Sequence, residues 1–115
     1  MHEVTIAQAI VDIVRDHAAR DGFTRVKTIR LAIGALSHVD PRALEFGFEV
    51  VARGTVADGA RLAIDRPGGE AFCTDCEKTV PLAELGAACP TCGGYRCIPS
   101  GGSGEQMRVV EMEVL

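Results

Sequence analysis

The sequence predicts an α+β fold, in which a small mixed or antiparallel sheet carries two helices on one face and a cysteine-rich module is inserted. Three observations lead to this prediction. Apolar residues recur at helical spacing in two segments, they alternate with polar residues in three others, and two Cys-x-x-Cys pairs precede the last of these. The 115 residues are enough for one small domain and a module, but not for two independent cores.

The first helix is predicted to run from about Ile6 to Asp21. Thr5 and Gln8 have the spacing of a capping box at its start, and Gly22 occupies the place of a helix C-terminal glycine. Residues 1–4 are expected to lie just ahead of it, as a short strand. The residues at helical spacing are Ile6, Ile10, Ile13, Val14 and His17.

Residues 27–33 alternate between apolar and polar side chains and predict a strand. Asp40 and Pro41 then predict the start of a second helix, because aspartate is a favoured N-cap and proline is favoured at the first helical position. Gly54 is expected to end this helix. Its buried stripe is expected to contain Leu44, Phe48 and Val51.

Two more strands are predicted, at residues 60–65 and in the C-terminal stretch EQMRVVEMEVL. In the second of these, apolar and charged residues alternate, with one slip between Val109 and Met112. We expect this strand to return to the first sheet.

The turn-rich sequence from Pro67 to Gly69 is the clearest boundary in the chain. If the C-terminal strand returns to the first sheet, the cysteine-rich segment is an insertion and not a tail. The predicted domains are therefore residues 1–69 together with 105–115, and an inserted module over residues 70–104.

Cys73, Cys76, Cys89 and Cys92 form two Cys-x-x-Cys pairs that are separated by twelve residues. A tight turn in each pair lets backbone amides bond the first sulfur, and two facing turns supply the four thiolates that tetrahedral Zn²⁺ prefers. Disulfides in a secreted protein are disfavoured because no signal peptide is evident, so we expect a cytoplasmic protein with reduced thiols. A redox Cys-x-x-Cys needs no matching second pair. The sequence thus predicts a zinc-ribbon-like module with structural zinc and no open position for catalysis.

Charge and aromatic content make nucleic acid a poor partner. The formal net charge is −4, and residues 70–115 carry seven acidic but only three basic side chains. A binding site for phosphates needs an excess of basic residues, and stacking on bases needs aromatic side chains, which make up only 4% of the chain. No apolar run approaches the roughly 20 residues that a membrane span requires.

Met1, His2 and Glu3 have the donor groups of a second metal site. Methionine aminopeptidase removes Met only before a small residue, so we expect Met1 to remain ahead of His2 with a free α-amine. This amine, the amide nitrogen of residue 2 and the imidazole Nδ1 can close fused chelate rings, with the amide or carboxylate of Glu3 as a fourth donor. Such nitrogen-rich, planar coordination suits Ni²⁺ or Cu²⁺. Spacing alone favours the opposing interpretation, in which these are a start methionine and two polar residues.

Four features occur together and in order: MHE at the start, the stretch GFTRVKTIRLAIGALSHVDPRALEFGFEVVARGT, the paired Cys-x-x-Cys motifs with CPTCGG, and a final charged–apolar strand. Over essentially its full length, the chain resembles the HypA/HybF hydrogenase maturation factors. The resemblance implies a nickel metallochaperone for nickel–iron hydrogenase, which works with a partner GTPase and docks on the hydrogenase large-subunit precursor. It also implies that Met1, His2 and Glu3 are the nickel donors, with His2 the most important, and that the four paired cysteines hold zinc.

Three further residues with potential donor atoms lie outside the two predicted sites. Cys97 is a fifth cysteine that the family pattern does not assign; it is interpreted as a small buried residue, with ligand exchange as the sharper alternative. His17 is expected on the partly buried face of the first helix and His38 in the loop before Asp40. Each is interpreted as a solvated or hydrogen-bonded side chain, with a donor or partner-contact role as the alternative.

The alternative function is that of a zinc-ribbon adaptor, which binds protein or nucleic acid and does not handle nickel. An enzyme ranks third, because the sequence shows no nucleophile–base pair, no phosphate-binding glycine loop and no open zinc site. Metal content separates the first two functions: zinc with stoichiometric nickel indicates the chaperone, and zinc alone the adaptor.

Overall fold

The computed structural model describes residues 2–100 and 104–115. The helices are α1 (Glu3–Asp21) and α2 (Pro41–Ala52), and the strands are β1 (Val26–Ile33), β2 (Arg61–Asp65), β3 (Gly69–Cys73), β4 (Lys78–Leu82), β5 (Cys97–Pro99) and β6 (Met107–Val114). The strands form two three-stranded sheets, in the orders β2-β1-β6 and β4-β3-β5. The predicted fold class is confirmed.

The chain folds into two compact units. The first contains residues 2–31, 39–64 and 109–115, and includes both helices. The second contains residues 32–38, 65–100 and 104–108, and includes the β4-β3-β5 sheet. The paired cysteines therefore belong to the second unit, and the N-terminal residues to the first.

Helix α1 begins at Glu3, three residues earlier than the sequence predicted, and the predicted capping box is wrong. His2 is the N-cap residue, and its carbonyl oxygen accepts the first helical bond from the Ile6 amide at 3.1 Å. Thr5 is therefore already within the first turn, and the short strand expected over residues 1–4 is not formed by the residues described there. Met1 lies outside the described residues.

The end of α1 and both ends of α2 follow the sequence. Gly22 is left-handed at φ 79°, and its amide donates to the Ala18 carbonyl at 2.8 Å. The Asp40 carboxylate accepts a hydrogen bond from the Arg42 amide at 3.0 Å, ahead of Pro41.

Among the described residues, no helix combines the length and apolar composition that crossing a bilayer requires.

The two helices pack on each other within the first unit. In α2, Leu44 and Phe48 are buried as predicted, whereas Val51 is only half-buried and Ala52 takes the inner position. The buried positions of α1 are Ala7, Ile10, Val11 and Val14. The large buried side chains of β1 are Val26, Ile29, Leu31 and Ile33.

The C-terminal strand β6 lies beside β1, as predicted. The Gly34 amide donates to Gln106 at one end and the Leu115 amide to Arg25 at the other, so the two strands run antiparallel. The predicted slip is present, because consecutive residues at 110 and 111 are both exposed in β6. Exposed ion pairs between the strands, Lys27 with Glu113 and Arg30 with Glu111, mark the solvent side.

In the second unit, Arg66 holds the turn that follows β1. Its Nε donates to the Ile33 carbonyl at 2.9 Å, and its Nη2 to the Gly34 carbonyl at 3.1 Å. The buried Ser37 hydroxyl also donates to the Gly34 carbonyl, at 2.8 Å. The guanidinium thus supplies hydrogen-bond donors to carbonyl oxygens of a buried turn, which have no partners in a helix or sheet.

Alanine at Gly34 should destabilise the fold. A Cβ there would overlap the backbone carbonyl of Gly104, and since backbone cannot rotate away, we expect a loss of about 1–3 kcal/mol in unfolding free energy. Gly47→Ala is the matched control, because its Cβ would lie an ordinary 3.5 Å from Val4 Cγ2 and alanine in a helix gains up to about 1 kcal/mol. Thermal unfolding should shift down for Gly34→Ala and up for Gly47→Ala. An unshifted Gly34→Ala contradicts the close contact.

Candidate metal centre

The four paired cysteines come together at one end of the β4-β3-β5 sheet. Cys73 is the last residue of β3, and Cys76 lies in the turn before β4. Cys89 and Cys92 lie in the loop between β4 and β5. The four sulfur atoms all lie within 4.8 Å of one another.

Distances between the sulfurs fit one tetrahedral ion and exclude disulfides. The Cys73 and Cys92 sulfurs are 3.6 Å apart, and those of Cys76 and Cys89 are 3.8 Å apart. A disulfide needs roughly 2.05 Å, so these cysteines are free thiols. Tetrahedral zinc–sulfur bonds of roughly 2.3 Å place the sulfurs about 3.8 Å apart. The two shortest of these separations therefore match the spacing that a tetrahedral ion with four sulfur ligands requires.

Both Cys-x-x-Cys turns have the same backbone. The Glu77 amide donates to the Cys73 carbonyl and the Gly93 amide to the Cys89 carbonyl, each at 2.8 Å. Both donors follow directly after the second cysteine, and both are left-handed, with φ of 55° and 76°. Glycine suits this conformation at position 93, because it has no Cβ. The left-handed conformation of Glu77 had no signal in the sequence, because glutamate rarely adopts positive φ.

The turns also divide the four thiols into two kinds. Backbone hydrogen bonds, led by the amide of Cys76, lower the pKa of Cys73, and those led by the amide of Cys92 lower the pKa of Cys89 to about 6. Burial raises the pKa of Cys76 to about 12. At Cys92 a backbone bond from Gly94 lowers the pKa, but the bond with Cys73 and burial outweigh it, and the net shift is upward. In each turn the pKa of the first cysteine is thus lowered and that of the second raised.

Acidification should weaken metal binding at the four cysteines, because protons compete with the metal for sulfur. At neutral pH Cys89, with its pKa of about 6, is already ionised, whereas Cys76 and Cys92 must release protons to the metal. We therefore expect the apparent zinc affinity to rise with pH through neutrality and to fall more steeply below about pH 6, where Cys89 is protonated too. Competition with a zinc chelator at several pH values measures this. An affinity that does not vary with pH would contradict thiolate ligation.

Cys97 lies next to this cluster without belonging to it. The sequence predicted a buried residue, but Cys97 is only half-buried. It packs against a core of Cys73, Val80 and Cys89. Burial and then a hydrogen bond with Cys73 raise the pKa of the Cys97 thiol to about 11.

Two of the three predicted nickel donors, His2 and Glu3, lie at the start of α1 in the other unit. His2 is exposed and Glu3 is half-buried. The Glu3 carboxylate accepts a hydrogen bond from the Asp40 amide at 3.2 Å, and this bond lowers its pKa. Sequence reasoning missed the contact, because the two residues are 37 positions apart. Met1, the third predicted donor, lies outside the described residues.

Neither remaining histidine joins a site in the part of the chain that the structure describes. His17 is half-buried on α1, as predicted, and its Nδ1 lies 3.3 Å from the Arg20 guanidinium. His38 is exposed in the segment before Asp40, also as predicted.

The chain is similar to proteins of one family in sequence and in structure. The family model described as "Hydrogenase/urease nickel incorporation, metallochaperone, hypA" matches residues 1–114. The hydrogenase maturation factor HypA of Methylocella silvestris is 47% identical over 114 residues, 99% of each chain, and that of Rhizobium leguminosarum bv. viciae is 46% identical over 115 residues, 100% of each. The solution structure of the nickel metallochaperone HypA from Helicobacter pylori matches all of this chain and 98% of its own, with a TM-score of 0.65 at 22% identity. A second HypA solution structure gives a TM-score of 0.66 at 25% identity, over 100% of this chain and 97% of its own.

Proposed function

The chain belongs to the HypA family of hydrogenase/urease nickel-incorporation metallochaperones, and we propose that it binds Ni(II) at its N-terminus and delivers it during maturation of nickel–iron hydrogenase. The observation that carries the proposal is the position of His2. Its side chain is exposed, and it is the N-cap of α1. Nickel can therefore reach the imidazole without any opening of the fold.

The start of α1 favours amide coordination. The first amides of a helix have no acceptor within the helix, and here the first helical bond comes from Ile6. The amide of His2 precedes that bond, so a metal can take its nitrogen without breaking it. Together with the imidazole of His2 and the α-amine of Met1, this nitrogen supplies three donors of a planar set that suits Ni²⁺.

The contact between Glu3 and Asp40 assigns a role to the Glu3 carboxylate. Its Oε2 accepts from the Asp40 amide, so using this oxygen for nickel would give up a bond at the start of α2. Glu3 is therefore expected to serve nickel through its other carboxylate oxygen, Oε1, while Oε2 holds the N-terminus against α2.

The four paired cysteines are proposed to hold Zn²⁺ as a structural ion. Zinc bound there adds four bonds to a unit whose apolar core is small, and it has no open position for a substrate. The chain would then transfer nickel and catalyse no covalent step, so we do not propose an enzyme.

The proposed partners are a nickel-handling GTPase and the hydrogenase large-subunit precursor, both in the cytoplasm. Exposed apolar side chains lie beside the N-terminus: Val4 is 61% exposed and Phe46 70%. With Gly47 and Val50 they line a groove that also includes His2 and Glu3. An apolar surface next to the metal donors supports transfer to a docked protein.

Hydrogenase maturation in cells tests the delivery function. Cells that carry His2→Ala in place of the natural chain should lose hydrogenase activity, and excess nickel should restore it in part, because mass action replaces the missing affinity. His38→Ala, which changes an exposed histidine outside the proposed donor set, is the matched control and should mature hydrogenase normally. Full maturation with His2→Ala would refute the proposed delivery route.

A further inference from the structure

Cys97 occupies a special position relative to the proposed zinc ligands. In the antiparallel pairing of β3 with β5, its Cα lies directly opposite that of Cys73. Because opposite residues of neighbouring strands have side chains on the same face of a sheet, the Cys97 side chain extends to the same side as the Cys73 sulfur. Cys97 is therefore a direct neighbour of a proposed ligand, although it is 24 residues away in sequence.

This neighbour approaches from the interior of the unit. Cys97 packs on the core of Cys73, Val80 and Cys89, two of whose three members are proposed zinc ligands. Both of these ligands are buried, whereas Cys92 is exposed. Water thus reaches the cluster from the Cys92 side, and Cys97 covers part of the other side.

Buried zinc-bound sulfurs need hydrogen-bond donors. Four thiolates outweigh the two charges of the ion, so the site has a net negative charge that burial penalises. The amides of the two turns supply donors to Cys73 and Cys89. Sulfur accepts more than one bond, and a donor to a charged acceptor binds more strongly than the same donor to a neutral one.

We propose that the Cys97 thiol donates a hydrogen bond to the zinc-bound sulfur of Cys73, and so is a positioning residue of the zinc site. The inference rests on the zinc occupancy of the proposed function. The bond draws electron density from the sulfur, which makes the thiolate less nucleophilic and slows its reaction with electrophiles. Zinc ligation itself stays with the four paired cysteines.

Two substitutions separate this hydrogen bond from packing. Cys97→Val keeps the side-chain volume and removes the donor, whereas Cys97→Ser keeps a donor. Neither variant has a thiol at position 97, so in both of them an electrophile can alkylate only the four ligand sulfurs. Ile98→Ala changes the next residue of β5, which is 59% exposed, and controls for a general change in the strand.

The measurement is the rate of zinc release when N-ethylmaleimide alkylates the full-length protein, followed with a chromogenic zinc chelator. Cys97→Val should release zinc about tenfold faster than the serine variant, the lower end of the effect of outer-shell partners, because a thiol is a weak donor. The thiolate-to-metal charge-transfer band of the Co²⁺-substituted protein should move to longer wavelength in Cys97→Val only. Cys97→Ser and Ile98→Ala should stay close to wild type in both readouts.

The proposal is overturned if the valine and serine variants release zinc at the same rate and have the same cobalt band. It is also overturned if both variants are purified with the same deficit of zinc, because Cys97 would then act through packing and not through a hydrogen bond. A four-thiolate cobalt band in Cys92→Ser would also overturn it, since Cys97 would then be a ligand. A wild-type protein without zinc refutes the proposed zinc site itself. That result is distinct, because the other outcomes all begin from one zinc per chain.

Discussion

Replacing Cys73 with serine should release the zinc ion and loosen the second unit. Cys73 is fully buried and ends the central strand of the β4-β3-β5 sheet, so its sulfur holds the ion against the core. That core has few large side chains: its two clusters are Leu36, Ala71 and Leu82, and Cys73, Val80 and Cys89. A unit of this size depends on its metal for stability. We expect the free energy of its unfolding to fall by several kcal/mol, with the roughly 10–16 kcal/mol of structural zinc binding as the upper limit.

Hydrogen exchange with the metal content of the same sample measures this effect. Amides of β3 and β4 should lose protection in Cys73→Ser, while those of α1 should keep it if the module at residues 70–104 is an insertion in an independent domain. Cys97→Ser makes the same chemical change at the nearest cysteine outside the cluster and should keep one zinc per chain. If α1 loses protection together with β3, the insertion is not independent.

Replacing His2 with alanine should abolish strong nickel binding and leave zinc and thermal stability near wild type. The imidazole is a proposed direct ligand, so its loss should exceed the roughly 10–100-fold that an outer-shell partner costs. The His2 side chain makes no cap hydrogen bond to α1 and is exposed, so its removal should barely affect folding. Acetylation of Met1 converts the proposed amine donor to an amide and should lower nickel affinity in the same way.

Calorimetric titration of nickel into the zinc-loaded variants is the measurement. His17→Ala is the matched control, because it removes an imidazole from the same helix about 22 Å along its axis from His2. It should bind nickel as the wild type does. Unchanged affinity in both His2→Ala and the acetylated protein would mean that MHE is only where the chain begins.

Local signals predicted most of the fold. Gly22, Asp40 and Pro41 act within one turn of the chain, and each has the role that its residue type suggested. The start of α1 was placed too late because Thr5 with Gln8 imitates a capping box, whereas the helix is extended by a bond from Ile6 to the His2 carbonyl. When a side-chain cap is possible further along the chain, the sequence alone does not show that the helix begins earlier without one.

Contacts between distant residues were beyond the sequence. Cys97 has no spacing relation to the paired cysteines, and only the β3–β5 register brings it opposite Cys73. The bond between the Glu3 carboxylate and the Asp40 amide depends in the same way on how α1 meets α2. The four-cysteine cluster was predictable because each Cys-x-x-Cys turn is a local unit, and two such units need only to face each other.

Native mass spectrometry of the full-length protein loaded with both metals tests the central claim most directly, because zinc and nickel differ in mass and are counted separately on each chain. The account predicts one zinc and one nickel on the wild type, and one zinc without nickel on His2→Ala. Nickel retained by His2→Ala, or nickel found in place of zinc, would contradict the division of the chain into an N-terminal nickel site and a four-cysteine zinc site.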